Sequence, residues 1–251
     1  MKVSVKVANR VITEVVEKEV IVEVPVEVPV EVPVEKTKFG ASIDNFLGDV
    51  DADGNYVAPS EPFEVNLAGV KSIGSKGLYR RFTDTTNIVS FEAEDLETVG
   101  TNGLTNALYN CTKLANIDIR NIRSIGYAGL QNAFSTTGIT GHLDLDMLET
   151  VGDKGLEDAF AYDNITSVGL KNLKTLGSES MNNAFRNTKL ITISFPSLTS
   201  VKTNSFREGV FRYVTTMTEI HFRADMQSTI EAMTGYSDKF GATNATIYFD
   251  L

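Results

Sequence analysis

The residues able to do chemistry are few, and their spacing points to binding rather than catalysis. The chain has two histidines, His142 and His221, and one cysteine, Cys111. Both histidines fall at outward positions of expected strands three repeats apart. At about 4.8 Å per strand they would stand about 14 Å from each other, too far to share a metal or a proton. Cys111 sits at a repeat corner, where an inert buried thiol is expected rather than a nucleophile. No Gly-Lys-Ser/Thr loop is present to cradle a phosphate. What remains is a run of charged side chains on one expected strand face: Glu92, Glu94, Asp118, Arg120, His142, Asp144 and Asp146. Carboxylates in such a row recognise cations. In an in-register sheet Glu92, Asp118 and Asp144 would share one column about 4.8 Å apart. Stacked like charges repel unless salt, a cation or a basic partner compensates. The row either keeps the face soluble or forms an acidic recognition strip. No enzymatic activity is expected.

A second candidate lies nearer the N-terminus. Asp49-Val50-Asp51-Ala52-Asp53-Gly54-Asn55 places side-chain oxygens at alternate positions ahead of a turn, as a calcium loop does, with Asp49, Asp51, Asp53 and Asn55 as ligands. The twelfth position is Ser60 instead of a bidentate Glu. The alternative is a hairpin in which Phe46-Leu47 and Tyr56-Val57 flank an Asp-Gly turn. Calcium is the only cofactor these residues suggest.

These side chains need a scaffold, and the sequence writes one six times. The triplets Ser72-Ile73-Gly74, Thr98-Val99-Gly100, Ser124-Ile125-Gly126, Thr150-Val151-Gly152, Thr175-Leu176-Gly177 and Ser200-Val201-Lys202 recur every 26 or 25 residues. Apolar columns keep step with them. Four residues before each third position stand Val70, Leu96, Ile122, Leu148, Leu173 and Leu198. Four after come Leu78, Leu104, Leu130, Leu156, Met181 and Phe206, and eight after come Phe82, Leu108, Phe134, Phe160, Phe185 and Val210. A fixed period with fixed apolar columns is the signature of a solenoid whose repeats bury their faces against their neighbours. Alternating segments such as Ala115-Asn116-Ile117-Asp118-Ile119 predict a short strand before each triplet. The four-residue spacing after it predicts a turn or so of helix. The glycine between them is expected to take a backbone angle other residues resist.

Residues 22–35 alternate valine with Glu or Pro, placing Val22, Val24, Val26, Val28, Val30, Val32 and Val34 on one face of an extended strand. Proline then blocks pairing along one edge only. The stretch is either a stiff solvated linker or a self-associating stalk, most simply a homotrimer, that buries its valines or docks on a partner. The net charge of −10 and the lack of clustered Lys and Arg argue against nucleic acid. No apolar run reaches membrane-spanning length, so membrane insertion is not expected. A single cysteine allows no intramolecular disulfide. If the chain is whole, Met1 to Val7 lacks the apolar core of a secretory signal, and ordinary secretory export is not expected.

The register Leu114 to Phe134, with the corner Ala107-Leu108-Tyr109-Asn110-Cys111-Thr112-Lys113-Leu114, resembles BspA-type leucine-rich repeats. These copies are two or three residues longer than is usual for the family. The resemblance implies an α/β leucine-rich-repeat solenoid, a parallel β-sheet with short helices, preceded here by the Val/Glu/Pro β stalk. It also implies a surface binding or adhesion protein. The closing residues, Ala242 to Leu251, are similar to the ends of leucine-rich-repeat proteins carried by gut phages.

The expected organisation is an anchor and stalk over 1–38, a hairpin cap over 39–62, the solenoid over 63–227 and a C-terminal cap over 228–251. The expected function is a virion structural or display protein: a capsid decoration, head fibre or tail adhesin. It would be held to capsid or tail proteins through residues 1–36 and present the solenoid to a host surface protein or glycan. The alternative is a bacterial cell-surface adhesin.

Overall fold

The computed structural model describes residues 57–251 apart from Glu208. The valine stretch 22–34, the Asp49 to Asn55 loop and most of the expected hairpin cap lie outside the described residues.

Each coil of the chain contributes a longer strand and then a two-residue strand. In order these are β1 (Phe63–Asn66) and β2 (Ser72–Ile73), β3 (Ile88–Glu92) and β4 (Thr98–Val99), and β5 (Asn116–Asp118) and β6 (Ser124–Ile125). Then come β7 (Thr140–Asp144) and β8 (Thr150–Val151), β9 (Asn164–Gly169) and β10 (Thr175–Leu176), and β11 (Thr192–Phe195) and β12 (Ser200–Val201). The chain closes with β13 (Glu219–Phe222), α1 (Gln227–Glu231) and β14 (Thr246–Phe249), the last of which pairs parallel to β13 and so continues the solenoid.

The triplets stack without interruption. Ser72, Thr98, Ser124, Thr150, Thr175 and Ser200 are successive partners in one six-stranded parallel sheet. The apolar columns fill the interior, with Val70, Leu96, Ile122, Leu148, Leu173 and Leu198 all buried. Phe134, Phe160, Phe185 and Phe211 form a column of nearly parallel rings with centroids 5.5, 5.9 and 6.4 Å apart. The last ring comes from Phe211 instead of Val210, the residue the repeat count selects. Both are buried, and the backbone turns through Gly209 at φ 106° immediately before them.

The segments after the triplets are not helices. Among the described residues the only α-helix is α1, and the repeats carry a ladder of turns in place of the expected helical ones. In one coil Gly103, Thr105, Ala107, Tyr109 and Cys111 donate their N–H groups three residues back, to Gly100, Asn102, Leu104, Asn106 and Leu108. The residues between them, Asn102, Leu104, Asn106, Leu108 and Asn110, donate to Tyr127, Gly129, Gln131, Ala133 and Ser135 of the next coil at 2.8–3.0 Å. Every amide from 102 to 111 is thus satisfied, half locally and half between coils. A helix would meet the same need internally and leave adjacent coils without these bonds. The geometry repeats every four residues, so Leu104 and Leu108 still point inward, as a helix would also have placed them. It forces a left-handed residue at every fourth position: Asn102, Asn106 and Asn110, then Ala128, Asn132 and Thr136, then Lys154, Asp158 and Tyr162, all at φ between 49° and 68°.

The repeated glycine has a different role from the one expected. Gly100, Gly126 and Gly152 do not have positive φ. Each lies against the preceding coil so closely that an added Cβ would meet backbone: at Gly126 it would lie 3.1 Å from the Gly100 carbonyl carbon, and at Gly152 2.9 Å from that of Gly126. The column sets how near the coils can come. Gly152→Ala should therefore destabilise the fold by roughly 1–3 kcal/mol, the usual cost of overpacking. Thr136, β-branched and left-handed at φ 60°, is strained for the opposite reason, and Thr136→Asn should add about 1 kcal/mol. Urea denaturation of both variants reads the two signs; a stabilised Gly152→Ala would refute the close-approach account.

Candidate functional site

On the face opposite the triplets the longer strands do not form one sheet. They fall into three groups: β1-β3-β5, β7-β9 and β11-β13-β14. Between β5 and β7 the backbone ladder is missing, and a groove of about 420 Å³ opens there. The repeat changes length just beyond this point. The turn ladder steps by 26 residues from Thr136 to Tyr162, whereas His142 pairs with Ser167 at a step of 25, after a bulge beside Gly141 (φ 78°).

The groove gathers most of the expected strip. Glu92, Asp118, Arg120, His142 and Asp144 line it, with Ile117 beneath. Glu92 and Asp118 are direct partners across β3 and β5, so these two carboxylates do stack. Asp144 does not continue the column by pairing, because it lies across the split; that part of the expected row is corrected by the loss of register. Arg120 relieves the repulsion. Its Nε donates to both oxygens of Asp118 at 2.8 and 3.1 Å, its Nη2 makes a further bond to Oδ2, and Asp144 and Glu94 add to its field. The hydrogen bond from Arg120 holds the Asp118 carboxyl below its ordinary range. His142 Nδ1 lies 2.9 Å from Ser167 Oγ.

Glu94 and Asp146 stand outside the groove lining. Asp146 ties down a turn, its Oδ1 accepting from the Lys171 amide at 3.1 Å while its own amide donates to Asp144 Oδ1 at 3.0 Å. Ser90, which shares the outward positions of β3 with Glu92 by alternation, is only 5% exposed. His221 is engaged elsewhere, stacked on Tyr248 with Nδ1 2.9 Å from Asp250 Oδ1 and Nε2 3.2 Å from Glu219 Oε2. Burial pushes its pKa down, but the hydrogen bonds to the two carboxylates outweigh this and leave it raised. Cys111 is fully buried, its Sγ 3.1 Å from the Phe82 carbonyl, and burial pushes the thiol up to about 12. It is the inert thiol expected. Among the described residues no group of three or more His, Cys, Asp or Glu side chains is placed to hold a metal ion.

Six copies of the BspA type leucine rich repeat region match the chain, over residues 71–209 and 131–234. The chain belongs to the BspA-type leucine-rich-repeat family. A solved leucine-rich-repeat protein from Bacteroides ovatus is similar at 14% identity, covering 76% of this chain and 70% of its own, with a TM-score of 0.27. No curated protein matches. Repeats of the BspA type form binding scaffolds, and the groove lies at one of the two places where this one departs from regular stacking, the other being between β9 and β11.

Two features of this leucine-rich-repeat chain escaped the sequence reading. On the turn side, Arg186 lies between the rings of Tyr162 and Tyr213, 5.1 and 5.4 Å from their centroids, and Arg212 covers Tyr213 at 4.9 Å. The signal was the recurrence of Tyr two coils apart beside Arg. The second is Asp163, fully buried, which accepts from the Thr137 amide and hydroxyl through Oδ1 at 2.8 and 2.9 Å while Oδ2 has no partner. Burial pushes its pKa up to about 7, against the lowering effect of Thr137. The folded state therefore favours the acid form. Its contribution to stability is complete below the unfolded value near 4 and is lost as pH rises to about 7. Asp163→Asn should flatten that slope and raise stability at pH 8 by roughly 2–4 kcal/mol, with little change at pH 4. Thermal denaturation across this range reads it, and equal shifts at both pH values would contradict the buried-carboxylate account.

Proposed function

We propose that this protein is a non-catalytic display protein of a virion, presenting the groove between β5 and β7 to a surface protein or glycan of the host. The groove carries the proposal: the strand face parts between β5 and β7 and again between β9 and β11, and the first of these partings gathers Glu92, Asp118, Arg120, His142 and Asp144. Placement on a particle is supported by the Val/Glu/Pro stretch 22–35, suited to a self-associating stalk on capsid or tail proteins, and by the similarity of Ala242 to Leu251 to phage-borne repeat proteins. The second reading is a bacterial surface adhesin, favoured by the usual surface or extracellular location of the family.

Two measurements test the proposal. Immunodetection in gradient-purified particles and in cell envelopes separates the readings, and a chain found only in envelopes would favour the adhesin. For the groove, Asp118→Lys combined with Asp144→Lys should weaken binding of the purified protein to host cells at least tenfold. Undiminished binding by a folded double variant would rule out the groove as the binding site.

A further inference from the structure

We infer that the split between β5 and β7 is a strand-addition site for an extended segment of a partner protein carrying Lys or Arg at alternate positions; the inference rests on the binding role proposed for this groove. In the regular coils, the N–H groups of Leu67, Ala93 and Leu145 donate to the carbonyls of Glu92, Asp118 and Gly169 at 2.7, 2.8 and 3.1 Å. Ile119 and Leu170 occupy the same column at the two partings of the strand face, and neither makes such a bond to the next coil; the carboxylates gather only at the first, where Ile119 would meet Asp144. A strand in a parallel sheet turns alternate residues' backbone groups to opposite neighbours. β5 pairs with β3 through Asn116 and Asp118, so the N–H and C=O of Ile117 and the N–H of Ile119 face β7. β7 uses Leu143 and Leu145 toward β9, which leaves the main chain of His142 and Asp144 facing β5. Two open strand edges thus line one groove, and an open edge is a template for an added strand.

The opening is local. The same two coils remain bonded through β6 and β8 and through the turn ladder, where Leu130 donates to Gly155 at 2.9 Å. Only the strand face is parted. Ile117 is half-buried, as is Val168 beside the second parting, where their column mates Val65, Phe91, Leu143, Ile193 and Ile220 are buried, so the groove has an apolar floor for one face of a guest strand. Its rim carries the carboxylates of Glu92, Asp118 and Asp144 against one guanidinium, Arg120, already committed to Asp118. That balance selects cationic side chains on the guest. It also argues against a sequence such as 22–35, whose valines alternate with Pro and with the acidic Glu23, Glu27, Glu31 and Glu35. The occupant is therefore a basic, extended segment of another protein.

The test uses the full chain and three synthetic octapeptides: alternating Lys and Val, the same peptide N-methylated at alternate residues, and alternating Glu and Val. The Lys-Val peptide should bind by fluorescence anisotropy and slow exchange of the Ile117 and Ile119 amides at least tenfold. N-methylation, which removes the backbone donors but keeps the charge, should weaken binding at least tenfold, as should Asp144→Lys. The Glu-Val peptide should not bind. Ile117→Pro, which removes the N–H facing the split, and Ile117→Val, which keeps it with nearly the same apolar floor, should both fold, and only the proline variant should lose affinity. Equal binding of the N-methylated peptide, or unprotected amides in the complex, would overturn strand addition. If no peptide binds while the double charge reversal still abolishes host-cell binding, strand addition fails and the groove keeps its role, with a glycan as its ligand. If charge reversal affects neither, both fail.

Discussion

Every coil described is tied to the next by backbone hydrogen bonds, so each side chain in a paired column is laid upon its counterpart one coil away. Whatever occupies a column must tolerate itself as a neighbour at about 4.8 Å. Aromatic rings do so readily, and Phe134, Phe160 and Phe185 stack nearly parallel. Glycine does so at the closest approach. Charges of one sign do not, and the rim column three residues before each glycine shows the remedy. Lys71, Glu97, Arg123, Glu149 and Lys174 alternate in sign, with ion pairs of 3.6 Å between Lys71 and Glu97, 3.6 Å between Arg123 and Glu149, and 2.7 Å between Lys174 and Glu149. The two cations, Lys174 foremost, hold the Glu149 carboxyl below its ordinary range.

The strand face breaks that rule at one place. Glu92 and Asp118 are direct partners of the same sign, and no cation lies in register between them. Arg120 compensates from two residues along its own strand, and immediately beyond it the ladder to β7 is lost. The like-charged pair and the unzipped strands share one location, and together they make the groove acidic, apolar at its floor and rich in free backbone groups. A regular solenoid would have none of these combined.

The sequence displays the columns because burial is periodic, and Leu96, Ile122 and Leu148 stack as their spacing requires. It is ambiguous about the turn ladder, since apolar residues four and eight positions after the glycine suit a helix as well as a four-residue turn repeat. The deciding signal lies between them: Asn102, Asn106, Asn110, Asn132, Asp158, Asn183 and Asn187 mark positions where left-handed backbone is tolerated. The charged strip is legible residue by residue, but the groove is not, because it depends on bonds that fail to form. Gly138, Gly141 and the shortened repeat are its trace in the sequence, and they say that regularity is lost without saying which neighbours part. Asp163 is invisible for a simpler reason, since a lone carboxylate in a polar stretch carries no mark of being enclosed.

The turn ladder bears on how such a chain can change through descent. Because its amides are spent within a coil or on the adjoining one, copying a complete unit of 25 or 26 residues reproduces every bond that unit requires, whereas inserting a single residue exchanges inward- and outward-facing amides for the remainder of the coil. Duplication and deletion of entire units are thus the mild form of mutation for this architecture, and the reach of the molecule can drift in whole increments while its cross-section stays the same.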